Sequence, residues 1–491
     1  MIARILLVIS GWLLGFGSAS AQYGTVEPVP EKWKPGFDSI TMEQAQDWLS
    51  VLAGPNFEGR GTGQEGYAKA AHWVAGQLAE LDLKPVGDNG TYFQMLPMKR
   101  RQPMTQECFI ELGTGLKIPA QGNLGLERFT DQQETLGALV FLRIVGDSEL
   151  PSDLSLRDKI VIYSADEKIA RNAQFQLARK RPAVALKVIS ESPRSRPQLI
   201  RDGGRRRATS VTGTIINTAA DQLIAAAGKD ANWFTDFQAG LDSFEAEVEA
   251  TLRLRFQEEP AAVPNVVAWL EGSDPVLKDE YVVIGSHLDH LGIQGGVVHP
   301  GADDNGSGST AVLSVAKAFA VNPSRPKRSI LFIWFAAEEI GLVGSKHYTN
   351  YPTMPLEGMT CMFNMDMVGR NEETKDETSE ENEGSIHLVG SQRGETKLHD
   401  LILEANRHVG FRFEMDMESV WNRSDQVNFY NKGVPVAFLF GGFHPDYHRP
   451  GDQVTKINFK KLASAARLYY LAVNLAAEFG KFDMKIPAEN Q

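Results

Sequence analysis

A chain of 491 residues exceeds what one hydrophobic core usually supports, roughly 250–300 residues, so more than one domain is expected. Hydrophobic residues make up 42% and charged residues 23%, which suits soluble globular domains and excludes a disordered chain. A net charge of −12 argues against nucleic acid as the main partner. With Cys108 and Cys361 as the only cysteines, a disulfide framework and a cysteine-built zinc site are both excluded.

In chain order, the first element is a processing signal. Arg4 precedes the apolar run "ILLVISGWLLGFG" and then "SASAQ", and Ala19-Ser20-Ala21 fits a small-residue cleavage site. Residues 1–21 are therefore read as a signal peptide, with the mature chain starting at Gln22. The run falls short of the ~20 residues that a membrane span needs, and no later stretch reaches that length. The expected product is exported, periplasmic or secreted, with no stable membrane span after cleavage. No cysteine follows the cleavage site to carry a lipid.

Residues 22–40 are proline-rich and irregular. "TMEQAQDWLSVLAG" is predicted as a helix, with Thr41 as N-cap and Gln44 as capping-box partner. The glycine-rich turn "NFEGRGTGQEG" leads to a second amphipathic helix, "GYAKAAHWVAGQLAELDL". Short β-type runs dominate from about 107 to 255, among them "ALVFLRIV", "KIVIYSA" and "VTGTIINT". This stretch holds a basic cluster, Arg179, Lys180, Arg181, Arg194, Arg196, Arg201 and Arg205 to Arg207, read as a solvated loop face.

From Val263 onward, strands alternate with helices, which implies an α/β domain with a mixed or parallel sheet between helices. "SILFIWFAA" is apolar almost throughout, as in a strand buried on both faces. "NEETKDETSEENEG", residues 371–384, reads as a solvated acidic loop inserted between two strands. The expected organisation is 1–21 signal peptide, 22–106 first part of the catalytic domain, 107–258 β-rich insert and 259–491 main catalytic part.

Ligands in open α/β sheets gather at the carboxyl ends of strands. "YVVIGS" is followed by His287-Leu288-Asp289-His290, and "LFIWFAA" by Glu338 and Glu339. "CMFNM" is followed by Asp366, and "VAFLF" by a short loop and "PDYHRPGD", which contains His448. "GADDNGSG" precedes a helix and contributes Asp303 and Asp304. Any one of these could be a cap or a loop residue. Their recurrence at one strand end after another points to a metal site. Imidazoles and carboxylates without thiolates suit a borderline divalent ion, zinc foremost. Five candidate ligands exceed the needs of one tetrahedral zinc, and two metals sharing a bridging carboxylate would use them all.

"GSHLDH", "GADDNGSG", "AAEEIGLVGS", "NMDMVG" and "YHRPGD", in that order, resemble the di-zinc aminopeptidases of peptidase clan MH, the bacterial leucyl aminopeptidase-like group. "LRDKIVIYS" resembles a strand of the protease-associated domain often inserted in such enzymes. The resemblance implies a mixed central sheet flanked by helices, two Zn²⁺, and peptide substrates with a free N-terminus. It implies Asp304 as the bridging ligand rather than Asp303, His287 and Asp366 on one zinc, and Glu339 and His448 on the other. It implies Glu338 as general base, Asp289 as hydrogen-bond partner of the His287 ring, and Tyr447 as donor to the developing oxyanion. Arg423 is a candidate substrate contact, and Asp425 and Asp452 are candidate buried supports.

Glutamate-carboxypeptidase-like and glutaminyl-cyclase-like enzymes resemble the same core and are the alternatives. A receptor-like module without catalysis would have lost ligands, and all five are present here.

Overall fold

The computed structural model describes residues 24–146, 149–165, 170–201, 210–237, 240–294, 296–393 and 396–482. The expected signal peptide with its cleavage point at Gln22, and Arg205 to Arg207 of the basic cluster, lie outside the described residues. Two units are separable: the described residues of Met1–Leu96 with Ala262–Gln491, and those of Pro97–Ala261.

The first unit is built on a nine-stranded sheet. Its strands are β1 (Lys84–Pro85), β2 (Phe93–Met95), β3 (Pro264–Leu270), β4 (Tyr281–His287), β5 (Ser329–Phe335), β6 (Met359–Asp366), β7 (Ser385–Val389), β8 (Arg412–Glu414) and β9 (Val436–Phe440). The order is β1-β3-β5-β4-β6-β9-β7-β8, with β2 also on β3. β4 runs parallel to β5 and β6, and β6 runs parallel to β9. β3 and β7 are antiparallel to their inner neighbours, so the sheet is mixed. Every residue of β3, β4, β5, β6, β7 and β9 is buried, which explains their unbroken apolar runs. Because β4, β5, β6 and β9 are parallel, their carboxyl ends lie at one edge. That edge carries the chemistry.

Helices cover the sheet: α1 (Met42–Leu52), α2 (Glu65–Glu80), α3 (Gly308–Val321) and the closing α4 (Phe459–Phe479). Trp334 of β5 donates its indole N–H to the Ser309 carbonyl at 3.1 Å, and Phe319 meets Tyr470 at 4.9 Å between ring centroids. These contacts lock α3 between sheet and α4. At α1, Thr41 Oγ1 accepts from the Gln44 amide at 3.2 Å. Only half of the expected capping box forms, because the Gln44 side chain accepts from Lys317 Nζ instead, at 3.1 Å. Among the described residues no helix is long and apolar enough to cross a membrane.

The second unit contains an eight-stranded sheet, and a three-stranded one joining Met98–Pro103, Gln198–Arg201 and Phe256–Pro260. That small sheet carries the unit outward past the expected 107 and 258, since its strands pair across the two ends of the segment. Arg179, Arg181, Arg194, Arg196 and Arg201 face solvent. Cys108 and Cys361 are both buried free thiols.

Candidate metal centre

Each strand end delivers its side chain through a local device. β5 stops where Ala337 takes a left-handed conformation, φ 59°, and turns Glu338 and Glu339 out of the strand direction. Met367 (φ 54°) follows Asp366, and His448 itself has φ 56°. Left-handed backbone is unfavourable for non-glycine residues and recurs at functional sites. The "GADDNGSG" segment is pinned to the loop after β6. Asn305 Nδ2 donates to the Met365 carbonyl at 2.9 Å, Ser307 Oγ accepts from the Val368 amide at 2.9 Å, and Asp303 Oδ1 accepts from the Gly369 amide at 2.7 Å. From below, the Asp452 carboxylate accepts the amides of Asp303 and Asp304 at 3.0–3.1 Å. Asp304 and Asp366 are thus set in fixed register although they lie on different loops.

Two donor groups result, and they share Asp304. In one, His287 Nε2 lies 3.2 Å from Asp366 Oδ1 and 3.5 Å from Asp304 Oδ1. In the other, His290 Nδ1 lies 2.8 Å from Glu339 Oε1 and 3.6 Å from Asp304 Oδ2, and His448 Nε2 approaches the same two carboxylates, 3.1 Å from Asp304 Oδ2 and 3.2 Å from Glu339 Oε2. Glu338 Oε2 stands 3.9 Å from His287 Nε2, next to the first group. Ser424 donates its hydroxyl to Asp366 Oδ2 at 2.8 Å.

The electrostatics are those of a cation site. Burial pushes the Glu338 carboxyl well up, and Asp366, Asp425 and Glu339 add to it against His287. Burial likewise raises Asp304, reinforced by Glu339. At His448, burial opposes charge, but hydrogen bonds to Asp304 and Glu339 lift it to about 10. His287 is raised too, with Asp366 and Glu338 overcoming its burial. A field that holds protons on a buried imidazole, His287, and a half-buried one, His448, favours divalent cations in the same places. Five carboxylates, Asp289, Asp304, Glu338, Glu339 and Asp366, crowd this edge while largely withdrawn from water, an arrangement that is costly without counter-charge. The donor set therefore fits a pair of borderline divalent ions.

The remaining predicted residues are placed as follows. Asp303 belongs to neither group; its Oδ2 sits 3.3 Å from His444 Nε2. His287 Nδ1 meets the backbone carbonyl of Asp289 at 3.0 Å, not its carboxylate as expected, which stays 3.9 Å away. That carboxylate is occupied by the Thr62 hydroxyl at 2.6 Å and the Glu338 amide at 3.0 Å. Tyr447 stacks on the His448 ring, 3.9 Å between centroids, and its hydroxyl accepts from Arg423 at 3.3 Å. His290, 2.8 Å from Glu339 Oε1 and 3.6 Å from Asp304 Oδ2, is a residue of the site that sequence reasoning left out. The second histidine of "HLDH" was its only signal.

His287, Asp304, Glu338, Asp366, Tyr447 and His448 line one cleft. One wall is apolar, formed by Met367, Val420, Phe438, Phe440 and Phe443, and Arg423 stands among the lining residues.

Residues 265–473 match the model of Peptidase family M28. Leupeptin-inactivating enzyme 1 of Streptomyces exfoliatus is 29% identical over 235 residues, 47% of this chain and 48% of that protein. Aminopeptidase YwaD of Bacillus subtilis (strain 168) is 29% identical over 242 residues, 47% of this chain and 48% of that protein. The matches thus span about half the length of these curated relatives. Among solved structures, the aminopeptidase from Aneurinibacillus sp. strain AM-1 superposes with a TM-score of 0.53 at 19% identity, covering 93% of this chain and 98% of that one. The zinc aminopeptidase BSAP from Bacillus subtilis gives 0.52 at 20%, covering 92% and 97%. These likenesses show the fold. The stretch that is similar to Peptidase family M28 holds both donor groups and the carboxylate they share.

Proposed function

We propose that the chain is an exported zinc-dependent aminopeptidase that removes N-terminal residues from peptides. The observation that carries the reading is the sharing of Asp304 by two donor groups at the floor of an apolar-walled cleft. His287 and Asp366 would hold one zinc, Glu339 and His448 the other, and Asp304 both. The aminopeptidase relatives and the zinc named for BSAP support this reading, as does the exporting pattern of residues 1–21. The unit Pro97–Ala261 is read as a protease-associated-type insert.

Zinc at these positions supplies Lewis acidity, bringing the pKa of a water toward ~7 and polarising the scissile carbonyl. The chain's own groups do the rest. Glu338 takes the proton from the attacking water and passes it to the leaving amine, a role open to a carboxylate that is not itself a ligand. The Tyr447 hydroxyl donates to the carbonyl oxygen as negative charge builds there. The surplus of carboxylates attracts a free α-ammonium group, which favours cleavage from the N-terminus. Met367, Phe438 and Phe440 receive an apolar first side chain.

The test compares an aminoacyl-nitroanilide with an acylated glutamyl dipeptide, alongside metal analysis, chelation and zinc re-addition. Cleavage of the first, lost on chelation and restored by zinc, is expected. Cleavage of the dipeptide alone would establish the carboxypeptidase-like alternative. Cyclisation of an N-terminal glutamine without hydrolysis would establish the cyclase-like one.

A further inference from the structure

We propose that Glu372, His387 and Glu414 hold a further divalent cation, of the zinc or manganese kind, at the β8 edge of the nine-stranded sheet. None of the three lines the cleft, and the inference does not rest on the reading of that site.

The sheet itself brings two of the donors together. Pairing of β7 with β8 sets His387 directly opposite Glu414, so both side chains leave the same face. Glu372 comes from the acidic loop after β6 and is buried against the same ring. His387 Nε2 lies 3.0 Å from Glu372 Oε2 and 3.6 Å from Glu414 Oε2. One ligand atom from each of the three lies within 4.8 Å of the others. Zinc bonds of ~2.0–2.2 Å in a tetrahedron place ligand atoms roughly 3.3–3.6 Å apart, close to the two distances seen at Nε2.

The atoms turned away from this point are held from outside. Asp416 Oδ1 lies 3.1 Å from His387 Nδ1, the Phe443 amide donates to Glu372 Oε1 at 3.3 Å, and Arg412 donates to Glu414 Oε1 at 3.0 Å. Each side chain therefore keeps one free donor atom, and all three free atoms face one another. A carboxylate on the far nitrogen of an imidazole fixes its tautomer and raises its basicity, as it does behind metal-ligating histidines. With Nδ1 protonated, Nε2 turns a lone pair toward two carboxylate oxygens, and three acceptors converge only around positive charge. A second proton can supply that charge in the ion's absence, but an N–H satisfies only one oxygen well. An ion satisfies both.

Nearby cations do not fill the place. Arg412 is spent on Glu414 Oε1. Lys461 is buried, donates to the Asn382 carbonyl at 3.2 Å and forms no ion pair with the three among the described residues. One imidazole and two carboxylates without a thiolate suit zinc or manganese, and three protein donors leave room for water. The bound ion would join β7, β8 and the loop after β6. Through Glu372 it would also brace Phe443, at the start of the loop that carries Tyr447 and His448.

The test titrates metal-free full-length protein with zinc against a chromophoric chelator, and in parallel with Mn²⁺, reading the free ion by electron paramagnetic resonance. His387→Gln and Glu414→Gln are each expected to weaken one equivalent more than 100-fold relative to the parent protein, whatever the parent's total. Glu414 is partly exposed, so its variant guards against a packing defect at His387, with circular dichroism confirming the fold. Amide exchange at Phe443 is expected to slow as that equivalent fills in the parent protein, and not in Glu414→Gln. Equal uptake of both ions by the parent and the folded variants overturns the proposal and leaves the cluster as an ion-pair network around a protonated ring. A parent protein that takes up the variant-sensitive equivalent alone upholds this site, and it is then the reading of the metal pair that fails.

Discussion

The amide of Glu338 donates to Asp289 Oδ1 at 3.0 Å, tying the carboxylate beyond β4 to the first residue of the glutamate pair beyond β5. The other Asp289 oxygen accepts from Thr62 at 2.6 Å. Both acceptors lie out of water, and burial pushes the Asp289 carboxyl up to about 6 although His287 opposes the shift. An asparagine there has one acceptor oxygen and turns an NH₂ group toward the second donor. Asp289→Asn is expected to cost roughly 1.5–3 kcal/mol of stability, the scale of a hydrogen bond to a charged group. It is expected to lower kcat about 10–100-fold, as loss of a partner behind a metal site does. Thr62→Val removes one donor and should have the smaller effect on both. Equal loss in the two variants would mean that Asp289 acts through something other than these two bonds.

The neighbours Glu338 and Glu339 differ in what they touch. Glu339 is engaged by His290 and His448, whose hydrogen bonds outweigh its burial and hold its carboxyl below the usual range, whereas burial raises Glu338. Glu338→Gln is therefore expected to retain both metals and lose about 10²–10⁴ in kcat, the range for general acid–base catalysis. Glu339→Gln is expected to bind one metal weakly. Zinc content after gel filtration and kcat on the same samples decide it, and loss of metal from Glu338→Gln alone would reverse the two assignments.

How much of this was legible depends on where each residue's partners lie. The sheet and its functional edge could be read because long apolar runs end directly at His287, Glu338 and Asp366, so that pattern and chemistry share one boundary. The sequence brought out Asp289 but not the atom it uses: the carbonyl serves the His287 ring and the carboxylate serves Glu338. His290 was visible beside them, yet its meeting with Glu339 depends on how β4 and β5 pair, which no local spacing encodes. Met98–Pro103 reads "MKRRQP", too charged to suggest a strand, and its partner Phe256–Pro260 lies at the far end of the unit. The acidic stretch 371–384 does join two strands as expected, but Glu372 within it is buried against His387.

Arg60 is another residue that turn chemistry concealed. It sits in "NFEGRGTG", fully buried, and its guanidinium donates to four backbone carbonyls: Leu288 (2.9 Å), Leu52 (2.7 Å), Pro300 (2.9 Å) and Gly301 (2.6 Å). Burial pushes its pKa down to about 10, with Asp452 and Asp304 the leading opposing charges. It thus clamps the segments leading into His290 and into Asp304 to the end of α1. Arg60→Met would leave four buried acceptors unpaired, and a loss of about 3 kcal/mol or more is expected. Arg60→Lys should recover little, since one ammonium lacks the fork that reaches all four carbonyls. Urea unfolding of both variants, with zinc retained in the buffer, checks this. A lysine variant as stable as the parent would show that charge rather than geometry is what matters.

His387 offers a pH dependence separate from the metal centre. It is 1% exposed, with Nε2 at 3.0 Å from Glu372 and 3.6 Å from Glu414, and Nδ1 at 3.1 Å from Asp416. The cations near these carboxylates are Lys461, buried, and Arg412, 3.0 Å from Glu414. Burial opposes a charge on His387, but the hydrogen bond to Glu372 and the three carboxylates outweigh it, so its pKa is raised on folding. A raised folded-state value means that the protonated ring stabilises the fold fully below the unfolded value of ~6.5. That contribution fades as pH climbs through the folded value. Glu372 also accepts from the Phe443 amide at 3.3 Å, so the imidazolium helps hold the loop that leads to Tyr447 and His448. In His387→Gln the contribution is absent at every pH. The parent's advantage in Tm over this variant should therefore be largest at the acidic end of a series from about pH 5.5 to 9 and shrink toward the alkaline end. A gap that stayed constant across the series would mean that His387 serves as a neutral hydrogen-bond partner, and that the charge on its ring contributes nothing to the fold.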